Sequence, residues 1–111
     1  MSNKEIELIY IYANWCGHCK NFMNSWENID SKMKEKNSPV KINTKKIDID
    51  EVPNGSIKLN GTEEINGFPT LVVKLSIDGK NKEYDLGKYI SRDENQIMNF
   101  MKILARKFRK M

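Results

Sequence analysis

A chain of 111 residues, 39% apolar and 31% charged, has the composition of one soluble globular domain, spanning residues 1–111. A domain of this size hides about two-thirds of its unfolded surface and needs no staples to fold. No apolar run approaches the ~20 residues that a bilayer crossing takes, and the net charge of +4 rests on lysine, 16 of the 19 basic residues, a bias that an AT-rich genome also produces.

Residues 6–12, rich in isoleucine and tyrosine with apolar side chains on both faces, predict a buried central strand. Ala13-Asn14-Trp15 breaks the pattern, and a helix follows from near Cys16. Cys19, Phe22 or Met23, Trp26, Ile29 and Met33 recur at spacings of three and four and make one apolar stripe. Asn37-Ser38-Pro39 ends that helix. Residues 40–49 alternate, with Ile42, Ile47 and Ile49 marking a second strand. Residues 50–67 carry proline, glycines and acids and read as a loop holding one short helix around Glu63.

Residues 70–77 predict a third strand, and Asp78-Gly79 a tight turn into a fourth at 82–86. Ser91 and Glu94 have the spacing of a capping box for the last helix, whose stripe is Ile97, Phe100 or Met101, Leu104 and Phe108. A right-handed crossover sets the first two strands parallel, and the last two form a hairpin. The expected architecture is α/β: a mixed four-stranded sheet flanked by helices on both faces.

The chain has two cysteines, spaced C-x-x-C. The ring they would close is too small to constrain the unfolded chain much, so a purely structural disulfide is a poor reason for them. At a strand–helix junction the same spacing is a redox signature. Free backbone N–H groups and the positive end of the helix dipole favour a thiolate there. Cys19 falls on the apolar stripe and is expected buried. Cys16, one turn earlier at the helix tip, is expected exposed and nucleophilic. Cys16 would attack a substrate disulfide and Cys19 would resolve the mixed disulfide. A partly protonated His18 beside Cys16 would stabilise the reduced form and make the couple more oxidising. The competing reading is half of a zinc site, which needs four ligands; the chain offers two cysteines and one histidine.

Trp15-Cys16-Gly17-His18-Cys19-Lys20 resembles the active site of thioredoxins and, in its histidine, that of protein disulfide isomerase domains. Gly67-Phe68-Pro69-Thr70 resembles the family's loop before the third strand, where the proline is cis. The segments 46–50 and 87–89 are similar to the family's second strand and to the stretch before its last helix. The likeness runs from about residue 6 to residue 108. It begins at the central strand, without the leading strand and helix of full thioredoxins, and so implies a minimal thioredoxin fold.

By this resemblance Pro69 is cis and faces the cysteines, while Phe68, Pro69 and Trp15 meet the substrate. For Trp15 the alternative is plain core packing. Lys46 would lie beneath the cysteines and tune proton transfer, or else be a solvated strand lysine. The family's buried acid, six residues before the first cysteine, is here Tyr10, a poor base at neutral pH. The active-site helix proline is replaced by Asn24.

The implied activity is thiol–disulfide exchange on protein substrates, leaning to oxidase or isomerase, without a cofactor or metal. The implied partners are protein substrates and a thioredoxin reductase or glutathione. The alternatives are a general disulfide reductase and a non-catalytic binding or virion structural module. Nucleic acid and membrane are not expected: the basic run Arg106–Lys110 suits a helix C-terminus and lacks an aromatic platform. A monomer is expected. With no leader legible in residues 1–7 a cytoplasmic protein is expected, beside a viral particle or a processed lumenal form.

Overall fold

The computed structural model describes residues 3–35, 40–65 and 67–110. Strands β1 (Lys4–Tyr12), β2 (Lys41–Asp48), β5 (Thr70–Ile77) and β6 (Lys80–Asp85) form one sheet in the order β2-β1-β5-β6. β1 and β2 are parallel, while β5 runs antiparallel to both of its neighbours. The sheet is therefore mixed, as expected. Helix α1 (Gly17–Glu35) crosses over from β1 to β2, and α2 (Glu94–Arg109) closes the chain. Asn37-Ser38-Pro39, expected to end α1, lies outside the described residues.

Alternation along the central strands sorts the core into two halves. Ile6, Leu8 and Tyr10 of β1, with Leu71 and Val73 of β5, face one side. Ile9, Ile11 and Val72 face the other. Both α-helices pack on the first side. α1 buries Phe22, Trp26, Ile29 and Met33 there, and α2 buries Ile97, Met98, Met101, Ala105 and Phe108. At its centre Tyr10 meets Tyr12, Phe22 and Trp26, with ring centroids 5.4, 5.4 and 5.2 Å away.

The second side, where the sequence predicts helices as well, is covered by irregular chain and short 3₁₀ turns in place of an α-helix. Its cover comprises 3₁₀ turns at Ile49–Glu51 and Pro53–Gly55 and the short hairpin of β3 (Lys58–Leu59) and β4 (Glu63–Glu64). Ile49, Leu59 and Ile65 plug it down.

Three local expectations need correction. Glu63 lies in a strand, not a short helix, because Asn60 (φ 51°) and Gly61 (φ 79°) turn the chain back on itself. The fourth strand starts and ends earlier than 82–86, since Asp78 (φ 50°) and Gly79 (φ 85°) reverse the chain in two residues. The cap of α2 is Asp93, whose carboxylate accepts from Gln96 N at 3.0 Å, so Ser91 and Glu94 make no capping box. Glu94 instead accepts from Asn28 Nδ2 at 3.1 Å and Lys32 Nζ at 2.9 Å, tying α2 to α1. Among the described residues, no helix is long and apolar enough to cross a membrane.

Candidate active site

β1 delivers its end to the second side of the sheet, and Ala13-Asn14-Trp15 turns the chain into α1. Cys16 N donates to Ala13 O at 3.1 Å, and Asn14 Nδ2 donates to Asp48 Oδ2 at 2.8 Å, anchoring the turn to the end of β2. Cys16 is then the residue just before the helix. Its carbonyl accepts from Lys20 N at 3.3 Å, and its sulfur accepts from Cys19 N at 3.1 Å. The sulfur thus stands where an N-cap serine or aspartate places its oxygen. A negatively charged sulfur accepts that N–H better than a neutral one does.

Both cysteines are free thiols. Cys19 is 1% exposed and Cys16 8%. The expectation of a freely exposed Cys16 is therefore too open. The loop at 67–69 lies over it, and Cys16 Sγ donates to Phe68 O at 3.5 Å. Burial, followed by the hydrogen bond to Cys16, pushes the Cys19 thiol up to about 11.

Phe68–Pro69 is a cis peptide bond, as the resemblance implied. Pro69 is buried, and Thr70 Oγ1 donates to Gly67 O, closing the loop. Trp15 is 69% exposed and so is no core residue. Its ring stands edge-on to Phe68 at 5.8 Å between centroids, and its Nε1 donates to Asp50 Oδ1 at 3.4 Å. An open groove of about 580 Å³ starts at Phe68 and Pro69 and runs past Leu59, Ile65, Leu86 and Arg92. A Cβ on Gly17 would meet no heavy atom within 4 Å, so the fold does not require glycine there. His18 is exposed, in a shallow hollow with Asn21, Ser25 and Arg92.

Tyr10 is wholly buried, and its hydroxyl donates to Cys19 O at 2.8 Å. Burial first, and then the neighbouring cysteines, raise its pKa above the ordinary phenol value, so it is no base near neutral pH.

Lys46 does not lie beneath the cysteines. It is the register partner of Tyr10 and so faces the helix side of the sheet. Its ammonium sits 5.8 Å over the Tyr12 ring, and its charge helps to lower the Asp30 pKa. Arg92, which sequence reasoning did not single out, is brought to the site from just before α2. Its charge opposes the rise of both Cys19 and Tyr10. Nothing in the spacing of one sequence marks it, because the fold alone carries it to the first turn of α1. Among the described residues, no three His, Cys, Asp or Glu side chains cluster to hold a metal ion.

The thioredoxin family model matches residues 1–103. The chain belongs to the thioredoxin family. Protein disulfide-isomerase A4 of Mus musculus is 32% identical over 85 residues, which is 77% of this chain but only 12% of that relative. Protein disulfide-isomerase TMX3 of Homo sapiens is 45% identical over 40 residues, 36% of this chain and 9% of the relative. The chain thus spans about an eighth or less of these curated relatives. Among solved structures, the first thioredoxin domain of mouse Protein disulfide-isomerase A4 superposes with a TM-score of 0.57 at 26% identity, covering 90% of this chain and 63% of that one. The Trx4 domain of ERdj5 gives 0.65 at 21% identity, covering 87% and 76%. The latter likeness speaks for the fold alone.

Proposed function

We propose that this thioredoxin-family domain is a thiol–disulfide oxidoreductase that works on protein disulfides through Cys16 and Cys19. The observation that carries the reading is the placement of Cys16 Sγ. It caps α1 by accepting the Cys19 N–H at 3.1 Å, in a position beside the Phe68–Pro69 backbone. In the forward step the Cys16 thiolate attacks one sulfur of a substrate disulfide, and the other substrate sulfur leaves as a thiolate and takes a proton. Cys19 then gives up its proton and attacks Cys16 Sγ. That breaks the mixed disulfide, releases the second substrate thiol, and leaves Cys16–Cys19 oxidised by two electrons. The reverse sequence oxidises a substrate dithiol.

Trp15 and Phe68 give the substrate an apolar ledge, and the backbone at Phe68–Pro69 aligns its extended chain. The exposed His18 favours the reduced pair and so leans the couple toward an oxidase or isomerase. A general disulfide reductase is the alternative direction of the same chemistry. Protein substrates are the partners, and the compartment decides what resets the pair. In the cytoplasm, the location expected from the sequence, a thioredoxin reductase or glutathione reduces it again; in an oxidising compartment a disulfide such as oxidised glutathione takes the two electrons and re-forms Cys16–Cys19.

Insulin reduction and oxidative refolding of a reduced, denatured protein test the reading. Wild type is expected to accelerate both. Cys16→Ser should fall to background, and Cys19→Ser should accumulate a mixed disulfide at Cys16. Undiminished turnover in Cys16→Ser would overturn the assignment.

A further inference from the structure

The helix side of the sheet is not covered to its edge. β6 is the edge strand of the sheet, held on its far side at Glu83, whose backbone N–H and C=O pair with the Asn60 side chain, and α2 leans toward β1. The register places Lys80, Lys82 and Tyr84 of β6 opposite Ile77, Leu75 and Val73, all facing the helix side. Between β6 and α2 two hollows of about 510 and 260 Å³ share Leu75 and Tyr84 and so form one groove. Its wall on α2 is Phe100 and Leu104, and its end is Tyr89. The apolar side chains at its lip are open to solvent: Tyr89 is 62% exposed, and Ile103, next to Leu104 on the outer flank of α2, 52%. These side chains form an apolar strip bordered by cationic residues, the kind of surface that contact sites use.

The rim is cationic. Lys80 and Lys82 line the groove on the strand side. Lys107, exposed and one helical turn beyond Ile103, flanks it on the other. Among the described residues none of the three is in an ion pair. The acid in the lining, Asp78, lies at one end, where its carboxylate accepts from Asn3 N at 2.7 Å. We propose that this groove docks an acidic amphipathic helix of another protein, apolar side inward and carboxylates against the three lysines.

Two arguments fix the occupant. The six residues of β6 extend the groove over ~20 Å, the length of ~13 helical residues, enough for apolar anchors at i, i+3, i+4 and i+7. A second copy fits badly, because a two-fold pairing would set one cationic rim of Lys80, Lys82 and Lys107 against the same rim on a second chain, each chain carrying +4. The surface stands apart from Cys16, so the proposal does not depend on the redox reading.

The test uses the reduced full chain and a fluorescent peptide of about 14 residues, with leucines at i, i+3, i+4 and i+7 and glutamates on its flanks. Saturable binding in fluorescence anisotropy is expected. NMR shifts should fall at Tyr84, Tyr89 and Leu104. Lys82→Glu and Ile103→Glu should each weaken binding by at least about tenfold, while thermal unfolding and insulin reduction stay at wild-type values. The same leucine pattern flanked by lysines should not bind. Any of four results would overturn the proposal. They are no saturable binding, equal binding of the lysine-flanked peptide, shifts centred on Trp15 and Phe68, and self-association in sedimentation that Ile103→Glu abolishes.

Discussion

The two sides of one sheet do different work. The helix side is packed under two amphipathic α-helices, apart from the groove beside β6, and holds the large aromatic cluster of Tyr10, Tyr12, Phe22 and Trp26. The cysteine side has smaller residues, Ile9, Ile11, Ala13 and Val72, under turns and a hairpin of two-residue strands. Burying a large apolar side chain stabilises a fold by roughly 1.5–3 kcal/mol, so most of the stability belongs to the helix side. Loops on the other side leave a groove at Phe68 and Pro69 and let a sulfur cap α1. Regular packing holds the frame, and irregular cover leaves room for the substrate contact proposed at Phe68 and Pro69.

The contrast can be broken at either face. The largest effect should come from Cys16→Ser, with disulfide exchange at background in the insulin assay. Its unfolding free energy should move by no more than about 1 kcal/mol, since the site is not part of the helix-side core. Trp26→Ala should do the opposite. It should cost about 3–5 kcal/mol in urea unfolding, while the folded fraction keeps its exchange rate.

Rising pH should strike the cysteine side first, because an unfolded thiol ionises below an unfolded phenol. The Cys19 thiol is raised from about 9 to about 11 by burial, so the folded state holds it neutral where the unfolded chain ionises it. The resulting stabilisation of the reduced protein is complete below pH ~9 and lost as pH climbs toward ~11. Chemical denaturation over that window should show a steeper fall for wild type than for Cys19→Ala. The smallest effect belongs to the residue that joins the sides. Tyr10→Phe removes the hydroxyl from Cys19 O and should cost about 1 kcal/mol, with exchange activity retained.

Much of this layout is legible in the amino-acid sequence. An apolar run at β1, alternation at β2 and spacings of three and four in α1 and α2 place the core, because burial leaves a trace in sequence. Cys16 and Cys19 stand in a motif that helix geometry explains, while the cis Pro69 is legible only through the family resemblance. Lys46 is misplaced by its sequence position because proximity along the sheet hides parity. As the partner of Tyr10 it points to the helices, whereas the sulfurs sit on the other core. The 3₁₀ turns and the hairpin at 58–64 leave no periodic trace, since each is too short to repeat. Asp93 displaces Ser91 as the cap because both residue types suit that position and only the backbone chooses between them. Arg92 becomes visible only when the fold sets the start of α2 beside the start of α1.

The most direct measurement is the equilibrium potential of the Cys16–Cys19 pair in glutathione buffers, with Cys16→Ser as the control. A reversible two-electron transition between ~−180 and ~−230 mV is expected, with none in the control. A value below ~−260 mV would contradict the oxidase or isomerase lean and make the domain a reductant. The lack of any reversible transition would contradict the redox assignment itself.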